Sequence, residues 1–398
     1  MSTIKPTADH KARANVFRLA AAQALAGANA TVVYATGAII GNTLAPSPAM
    51  VTVPISVFVV GMAAGTLPVG WLARVYGRRS AFIAGAACGC AAGLLAALAL
   101  VLQSFALYCT ATLLAGLYGA VVMTFRFAAA DGAAPAFRPR ALSWVMAGGV
   151  FAGVLGPQLV TWTMDLWSPH LFVISYLTQA LVALVAMAIL AGVDLPPLAA
   201  SDAARGRPLG VIVRQPRFVM AVICGVTTYT LMNLVMTSAP LAMRLCGLSL
   251  ATSNSAIQWH VVAMYAPSFF TGSIIARFGP YRVVAAGMVL LAGSAFTGLA
   301  GISPGHFILG LVLLGVGWNF GFVGASAMVL ESHRPEERTR VQSFNDFLVF
   351  GTMAVGSFSS GGLLNAFGWA AVNWVVFPPV LLALCLLALT GWRKREAA

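Results

Sequence analysis

The stretch GWLARVYGRR, residues 70–79, interrupts a long apolar run with two glycines and three arginines. A similar stretch, GSIIARFGPYR at residues 272–282, follows about 202 residues later. Glycine allows a helix end to turn tightly or to approach its neighbour closely, and arginine favours the cytoplasmic face of a membrane. The two stretches therefore predict two structural repeats, each with a short cytoplasmic loop.

The composition around these loops is that of a membrane protein. Of 398 residues, 60% are hydrophobic and 8% are charged, which is too little polar surface for a water-soluble domain of this size. Twelve apolar stretches can each cross about 30 Å of hydrocarbon as a helix, so we expect an all-α membrane protein. They span residues 17–42, 51–73, 80–103, 105–127, 141–164, 171–193, 218–243, 253–276, 283–301, 306–330, 341–366 and 371–392.

The basic residues give an independent test, because short cytoplasmic loops collect Lys and Arg. With both termini in the cytoplasm, 22 of the 23 basic residues fall in cytoplasmic segments, and only Arg244 falls outside them. Topology thus accounts for the net charge of +13. A nucleic-acid-binding protein would gather its basic residues on one face, so we expect no nucleic-acid partner.

The longest stretch outside the predicted helices divides the chain nearly in half. We predict an N-terminal six-helix half at residues 1–193, a cytoplasmic linker at 194–217 and a C-terminal six-helix half at 218–398. Two six-helix halves, with the loop at residues 70–79, resemble the major facilitator superfamily over the whole chain. This resemblance implies a transporter in which the two halves give alternating access to a central site.

The resemblance also points to gating residues at the cytoplasmic face. The loop residues concerned are Gly70, Arg74, Gly77, Arg78, Arg79, Gly272 and Gly279. The superfamily usually has an aspartate at the position of Arg74, where this chain carries the opposite charge. Asp131 and Asp346 lie near the predicted cytoplasmic surface, and both are candidate gating acids.

Two pairs of soft metal ligands lie in consecutive predicted helices. Met232 and Met236 are in the seventh helix and His260 and Met264 in the eighth, and each pair is spaced to share one helix face. If the two helices are antiparallel neighbours, Met236 lies level with His260, and Met232 with Met264. Uncharged thioether and imidazole donors suit copper(I), whereas zinc and iron(II) favour charged ligands. The sequence therefore predicts a copper site.

The same spacing resembles that of bacterial CcoA-type copper importers, which supply copper for cytochrome oxidase assembly. The resemblance implies import of copper, as substrate and not as cofactor, across the cytoplasmic inner membrane to a cytoplasmic copper acceptor. We expect a monomer in the lipid bilayer that has no cofactor and no enzyme activity. The chain has no glycine-rich phosphate-binding loop, so transport driven by ATP hydrolysis is not expected.

Four further residues lie beside the predicted site: Tyr229, Asn233, Trp318 and Asn319. They are candidates for supporting the metal ligands or for lining a central cavity. The competing interpretation is that Asn319 and Gln258 form hydrogen bonds between helices, as polar residues in membranes commonly do.

Two other functions remain open, because the fold alone does not decide the cargo. A related branch resembles riboflavin transporters, and an organic solute could be bound by Trp318, Tyr229, Tyr34 and Trp162 with the methionines as lining. A membrane copper sensor or assembly factor would bind copper without transporting it.

Overall fold

The computed structural model describes residues 6–47, 50–51, 53–195 and 206–396. Twelve stretches in the described residues are helical, long and apolar enough to cross a membrane, which confirms the predicted fold class. The helices are α1 Pro6–Leu44, α2 Val53–Tyr76, α3 Arg78–Val101, α4 Phe105–Asp131, α5 Arg138–Thr163, α6 Val173–Ala191, α7 Leu209–Ile212, α8 Pro216–Leu245, α9 Leu250–Tyr265, α10 Ser268–Phe278, α11 Pro280–Ala300, α12 Pro304–Leu330, α13 Arg338–Trp374 and α14 Phe377–Glu396.

Local sequence explains where several of these helices begin. Pro216, Pro280 and Pro304 open α8, α11 and α12, positions where the missing N–H of proline costs no helical hydrogen bond. At the start of α9, the Ser249 hydroxyl accepts a hydrogen bond from the backbone N–H of Thr252 at 3.1 Å. This cap satisfies one of the N–H groups that a helix start leaves without a partner.

The two loop glycines at residues 77 and 279 adopt backbone angles that other residues avoid. Gly77, between α2 and α3, has φ +84°, and Gly279, between α10 and α11, has φ +80°. The sharp turn expected at both positions therefore depends on glycine. Gly70 and Gly272 instead lie buried within α2 and α10, and Arg74 is exposed on α2.

Two predicted spans contain interruptions. The eighth is divided at Ala266 and Pro267 into α9 and α10, because proline has no N–H to continue the helical ladder. In α13 the helix geometry is broken at Gly368, which has φ +76°. The predicted segments 341–366 and 371–392 flank this position, so the sequence located the turn.

The chain folds into two compact units. Unit 1 comprises Met1–Gly206 and Gln342–Phe347, and unit 2 comprises Arg207–Val341 and Leu348–Ala398. The change from one unit to the other lies within the predicted linker, of which residues 196–205 are outside the described part of the chain. Six residues of α13, Gln342–Phe347, belong to unit 1. The predicted division had assigned all of residues 218–398 to the C-terminal half.

Helix α12 is the central element of unit 2 and packs against α8, α9 and α11. Two glycines bring it close to its neighbours: a Cβ at Gly315 would lie 2.6 Å from the His260 carbonyl oxygen of α9, and a Cβ at Gly321 would collide with Thr228 of α8. In unit 1, α4 packs against α1, α2 and α3, while α5 packs mainly against α1.

Large apolar side chains are exposed on the surfaces of both units. Phe296 is 70% exposed, and Trp162 is 66% exposed. Side chains of this kind are stable against lipid but not against water. The structure is therefore that of a multi-pass membrane protein.

Candidate functional site

Five aromatic side chains of unit 2 form the aromatic cluster: Tyr229, Tyr265, Trp318, Phe322 and Phe350. The Tyr229 ring contacts the edges of three others, with ring centroids 4.9 Å from Phe322, 5.3 Å from Phe350 and 5.5 Å from Trp318. Trp318 stacks on Phe322 at 5.1 Å and meets Tyr265 at 5.5 Å. Helices α8, α9, α12 and α13 thus each contribute to one apolar aromatic surface.

Three neutral polar atoms on the helices that carry this cluster are buried without a hydrogen-bond partner. They are the indole Nε1 of Trp318, the amide Nδ2 of Asn233 and the imidazole Nε2 of His260. Asn233 lies one turn from Tyr229 on α8, and so projects from the same helix face. The arrangement offers two donors and, on His260, one nitrogen whose role depends on the tautomer.

The other ring nitrogen of His260 fixes that tautomer. Its Nδ1 lies 2.7 Å from the carbonyl oxygen of Leu311 on α12. Because a carbonyl oxygen can only accept, Nδ1 carries the proton of the neutral ring and Nε2 holds a lone pair. The imidazole is fully buried, so this neutral form is the one that the apolar surroundings favour.

Asn319 connects α12 to both sides of the break between α9 and α10. Its Nδ2 donates to the Met264 carbonyl oxygen at 2.7 Å and to the Ser268 hydroxyl at 2.5 Å, and its Oδ1 accepts from the Thr271 hydroxyl at 2.7 Å. These contacts confirm the interpretation of Asn319 as an interhelical hydrogen-bonding residue. They also connect α12 to the residues on both sides of Pro267.

The predicted copper ligands lie in unit 2, but on helices with limited direct contact. Met232, His260 and Met264 are buried, and Met236 is partly buried. Helices α8 and α9 each pack mainly against α12 and only weakly against each other, and the His260 ring hydrogen-bonds to α12. In the described residues, no group of three or more His, Cys, Asp or Glu is placed to hold a metal ion. Such groups do not include methionine, so the methionine-based copper site stays a prediction.

The two candidate gating acids belong to an ion-pair cluster in unit 1, defined by Arg78, Asp131, Gln342, Arg126 and Asp346. Arg126 and Asp346 are each 1% exposed and lie 2.6 Å apart. Arg78 donates to Asp131 at 2.6 Å and to Gln342 at 2.9 Å. The ion-pair partner of Asp131 is Arg78. The gating role of both acids remains a prediction.

Sequence reasoning found only part of the aromatic cluster. Trp318 and Tyr229 were predicted, whereas Phe322 was missed although it lies four residues after Trp318 on the same helix face. Tyr34 and Trp162, proposed with them, lie in unit 1, where Tyr34 packs against Phe58 at 5.5 Å and Trp162 is exposed.

The chain is similar to known proteins of one family. The Major Facilitator Superfamily profile matches residues 19–267 and 222–398. "Riboflavin transporter RfnT" of Brucella anthropi is 47% identical over 392 residues, covering 97% of this chain and 98% of the relative. "Uncharacterized MFS-type transporter YdeG" of Bacillus subtilis is 27% identical, covering 95% and 91%.

A solved structure agrees at the level of the fold. The proton:xylose symporter XylE bound to 6-bromo-6-deoxy-D-glucose matches with a TM-score of 0.81, at 12% identity and over 95% of each chain. The chain therefore belongs to the Major Facilitator Superfamily.

Proposed function

We propose that the chain transports riboflavin, or a closely similar planar heterocycle, by alternating access. The observation that carries this proposal is the 47% identity, over 97% of the chain, to a protein named as a riboflavin transporter. The same observation favours the organic-solute alternative over copper import, which the comparisons do not support.

The chemistry of unit 2 supports such a cargo. Riboflavin joins an uncharged, planar tricyclic ring to a hydroxylated side chain, and the ring carries both C=O and N–H groups. Aromatic side chains bind planar rings by stacking and edge contacts, and the aromatic cluster offers both geometries. The neutral groups of Trp318, Asn233 and His260 match an uncharged solute, for which no ionic partner is needed.

The cluster is closed in the conformation described, because Trp318 is fully buried and Tyr229 is nearly so. A bound ring would replace some of the contacts that these side chains now make with each other. Its polar edge would also supply partners for donors that are otherwise buried without one, which lowers the free energy of the bound state. Substrate binding and rearrangement of the cluster would thus be coupled.

We also propose the surroundings in which transport takes place. The distribution of basic residues supports a bacterial cytoplasmic membrane with both termini inside. The expected partners are the lipid bilayer and the solute, with the protein acting as a monomer.

Uptake measurements test the proposed cargo. A riboflavin-requiring bacterium without its own uptake system should grow on low external riboflavin when it expresses this chain, and proteoliposomes should accumulate the vitamin. Trp318→Leu and Tyr229→Leu should each reduce uptake at least about tenfold at equal membrane abundance, since each removes ring contacts worth about 1.4 kcal/mol or more. Trp374→Leu is the matched control, because Trp374 is 63% exposed.

The same preparations separate the alternatives. If the wild type accumulates no riboflavin, the proposal is wrong. Copper uptake that depends on Met232 and His260 would support the alternative of a copper importer. Copper binding without accumulation would support the alternative of a copper sensor.

A further inference from the structure

His260 has one nitrogen whose role the structure explains and one whose role it does not. The Nδ1–H group donates to Leu311 and fixes the ring against α12. The Nε2 lone pair is buried and has no hydrogen-bond partner. A polar ring within a membrane is costly and by default marks a specific function, and packing against α12 accounts for only half of this ring.

Helix geometry gives the spacing between His260 and the aromatic cluster along α12. Leu311 precedes Trp318 by seven residues on α12, which places His260 and Trp318 about 10 Å apart along the helix axis. A tricyclic ring with a side chain extends over a comparable length. A solute that packs against Trp318 and Tyr229 can therefore present one end at the level of His260.

The other unpartnered groups indicate the chemistry expected along the rest of the solute. Trp318 Nε1 and Asn233 Nδ2 are donors and call for C=O groups or other acceptors on a ligand. His260 Nε2 is an acceptor and calls for an N–H or O–H. A solute that carries acceptors and a donor on one rigid frame complements all three positions.

We propose that His260 Nε2 accepts a hydrogen bond from an N–H or O–H group of the transported solute and thereby determines specificity. This inference rests on the proposed riboflavin transport. In riboflavin the donor is either the imide N–H of the ring or a hydroxyl of the side chain. The two sources share one chemistry, and substrate analogues separate them.

The experiment measures affinity for three ligands by competition for riboflavin uptake: riboflavin, 3-methylriboflavin, which lacks the imide N–H, and lumiflavin, which lacks the hydroxylated chain. The wild type should bind one analogue about tenfold more weakly than riboflavin, as expected for one lost hydrogen bond. His260→Leu should bind riboflavin as weakly as that analogue. If His260→Leu no longer distinguishes riboflavin from 3-methylriboflavin, the donor is the imide N–H. If it no longer distinguishes riboflavin from lumiflavin, the donor is a hydroxyl of the side chain.

Two further variants distinguish loss of the hydrogen bond from misfolding of the His260→Leu protein. His260→Gln keeps a side-chain carbonyl as acceptor and should retain part of the discrimination. His306→Leu is the matched control, because this histidine of unit 2 bonds to Ser303 at the start of α12, outside the cluster. It should behave as the wild type does.

Other outcomes would overturn the inference. If His260→Leu keeps the wild-type discrimination, or weakens all three ligands by the same factor, His260 is a structural residue. If it abolishes copper(I) uptake and leaves riboflavin affinity unchanged, the lone pair serves a metal. If the wild type does not bind riboflavin at all, the proposed function fails and this inference fails with it.

Discussion

The Arg126–Asp346 ion pair of unit 1 differs from the neutral polar atoms on the aromatic-cluster helices of unit 2 in that its two buried groups are paired with each other. Arg126 and Asp346 of unit 1 lie 2.6 Å apart and are almost completely enclosed, while Trp318 Nε1 and His260 Nε2 of unit 2 have no partner. An unpaired charge in an apolar interior costs far more than an unpaired neutral group. Breaking the charged pair is therefore expected to cost more free energy than leaving the neutral atoms without partners.

The largest effect is expected from breaking the charged pair. Asp346→Ala leaves the Arg126 charge buried without its acid, which should lower the free energy of unfolding by about 3–5 kcal/mol. Denaturant unfolding of the purified protein in detergent measures this loss, and a lower membrane abundance should accompany it. The double variant Arg126→Leu with Asp346→Leu should recover most of the stability, since it leaves no unpaired charge.

Asp165→Ala is the control, because Asp165 is exposed. If Asp346→Ala lowered the free energy of unfolding by less than about 1 kcal/mol, the buried pair would contribute no more than an ion pair at the surface. It would also remove the contrast between the two units.

An intermediate effect is expected where α12 approaches α9. A Cβ at Gly315 would lie 2.6 Å from the His260 carbonyl oxygen and 2.9 Å from the Met264 nitrogen. Gly315→Ala should therefore separate the helices and cost about 1–3 kcal/mol. It should also weaken riboflavin binding, because the Leu311 contact that orients His260 depends on this approach.

The matched control is Gly351→Ala, where an added Cβ meets nothing within 4 Å. This change should be neutral or slightly stabilising, since alanine favours a helix. Equal losses at both positions would show that the close approach is not responsible.

The smallest effect is expected for an ion pair at the surface of unit 1. Lys11 and Asp194 lie 3.6 Å apart with side chains 73% and 74% exposed. Lys11→Ala should change the free energy of unfolding by about 0–1 kcal/mol, because water and salt screen the charges. The same unfolding assay measures this difference, and a loss comparable to that of Asp346→Ala would show that enclosure does not set the strength of these pairs.

The fold followed from sequence because its signals are strong and local. Apolar length, basic loops and the two repeated loops with Gly77 and Gly279 predicted the helices and the sharp turns. The break at Pro267 was missed, although proline marks it, because hydropathy does not change there. The pairing of Asp346 with Arg126 joins residues 220 positions apart, and no local pattern reports such a contact.

The candidate site was only partly predictable for a related reason. Spacing showed that Met232 and Met236 share a face of α8, but it could not show that α12 is the main neighbour of both α8 and α9. The direction of the His260 ring toward Leu311 follows from that packing. His260 was predicted as a metal ligand, which stays a prediction, and the contact of its ring with a third helix could not be read from spacing.

The close packing of α12 also restricts how such a transporter can diversify. Glycines let this helix touch its neighbours on separate sides, with Gly315 against α9, Gly317 against α11 and Gly321 against α8. Any larger residue at these points would push a neighbouring helix away. A change of cargo is therefore expected to involve side chains rather than these glycines, and Trp318, between Gly317 and Gly321 in sequence, is the largest side chain of α12.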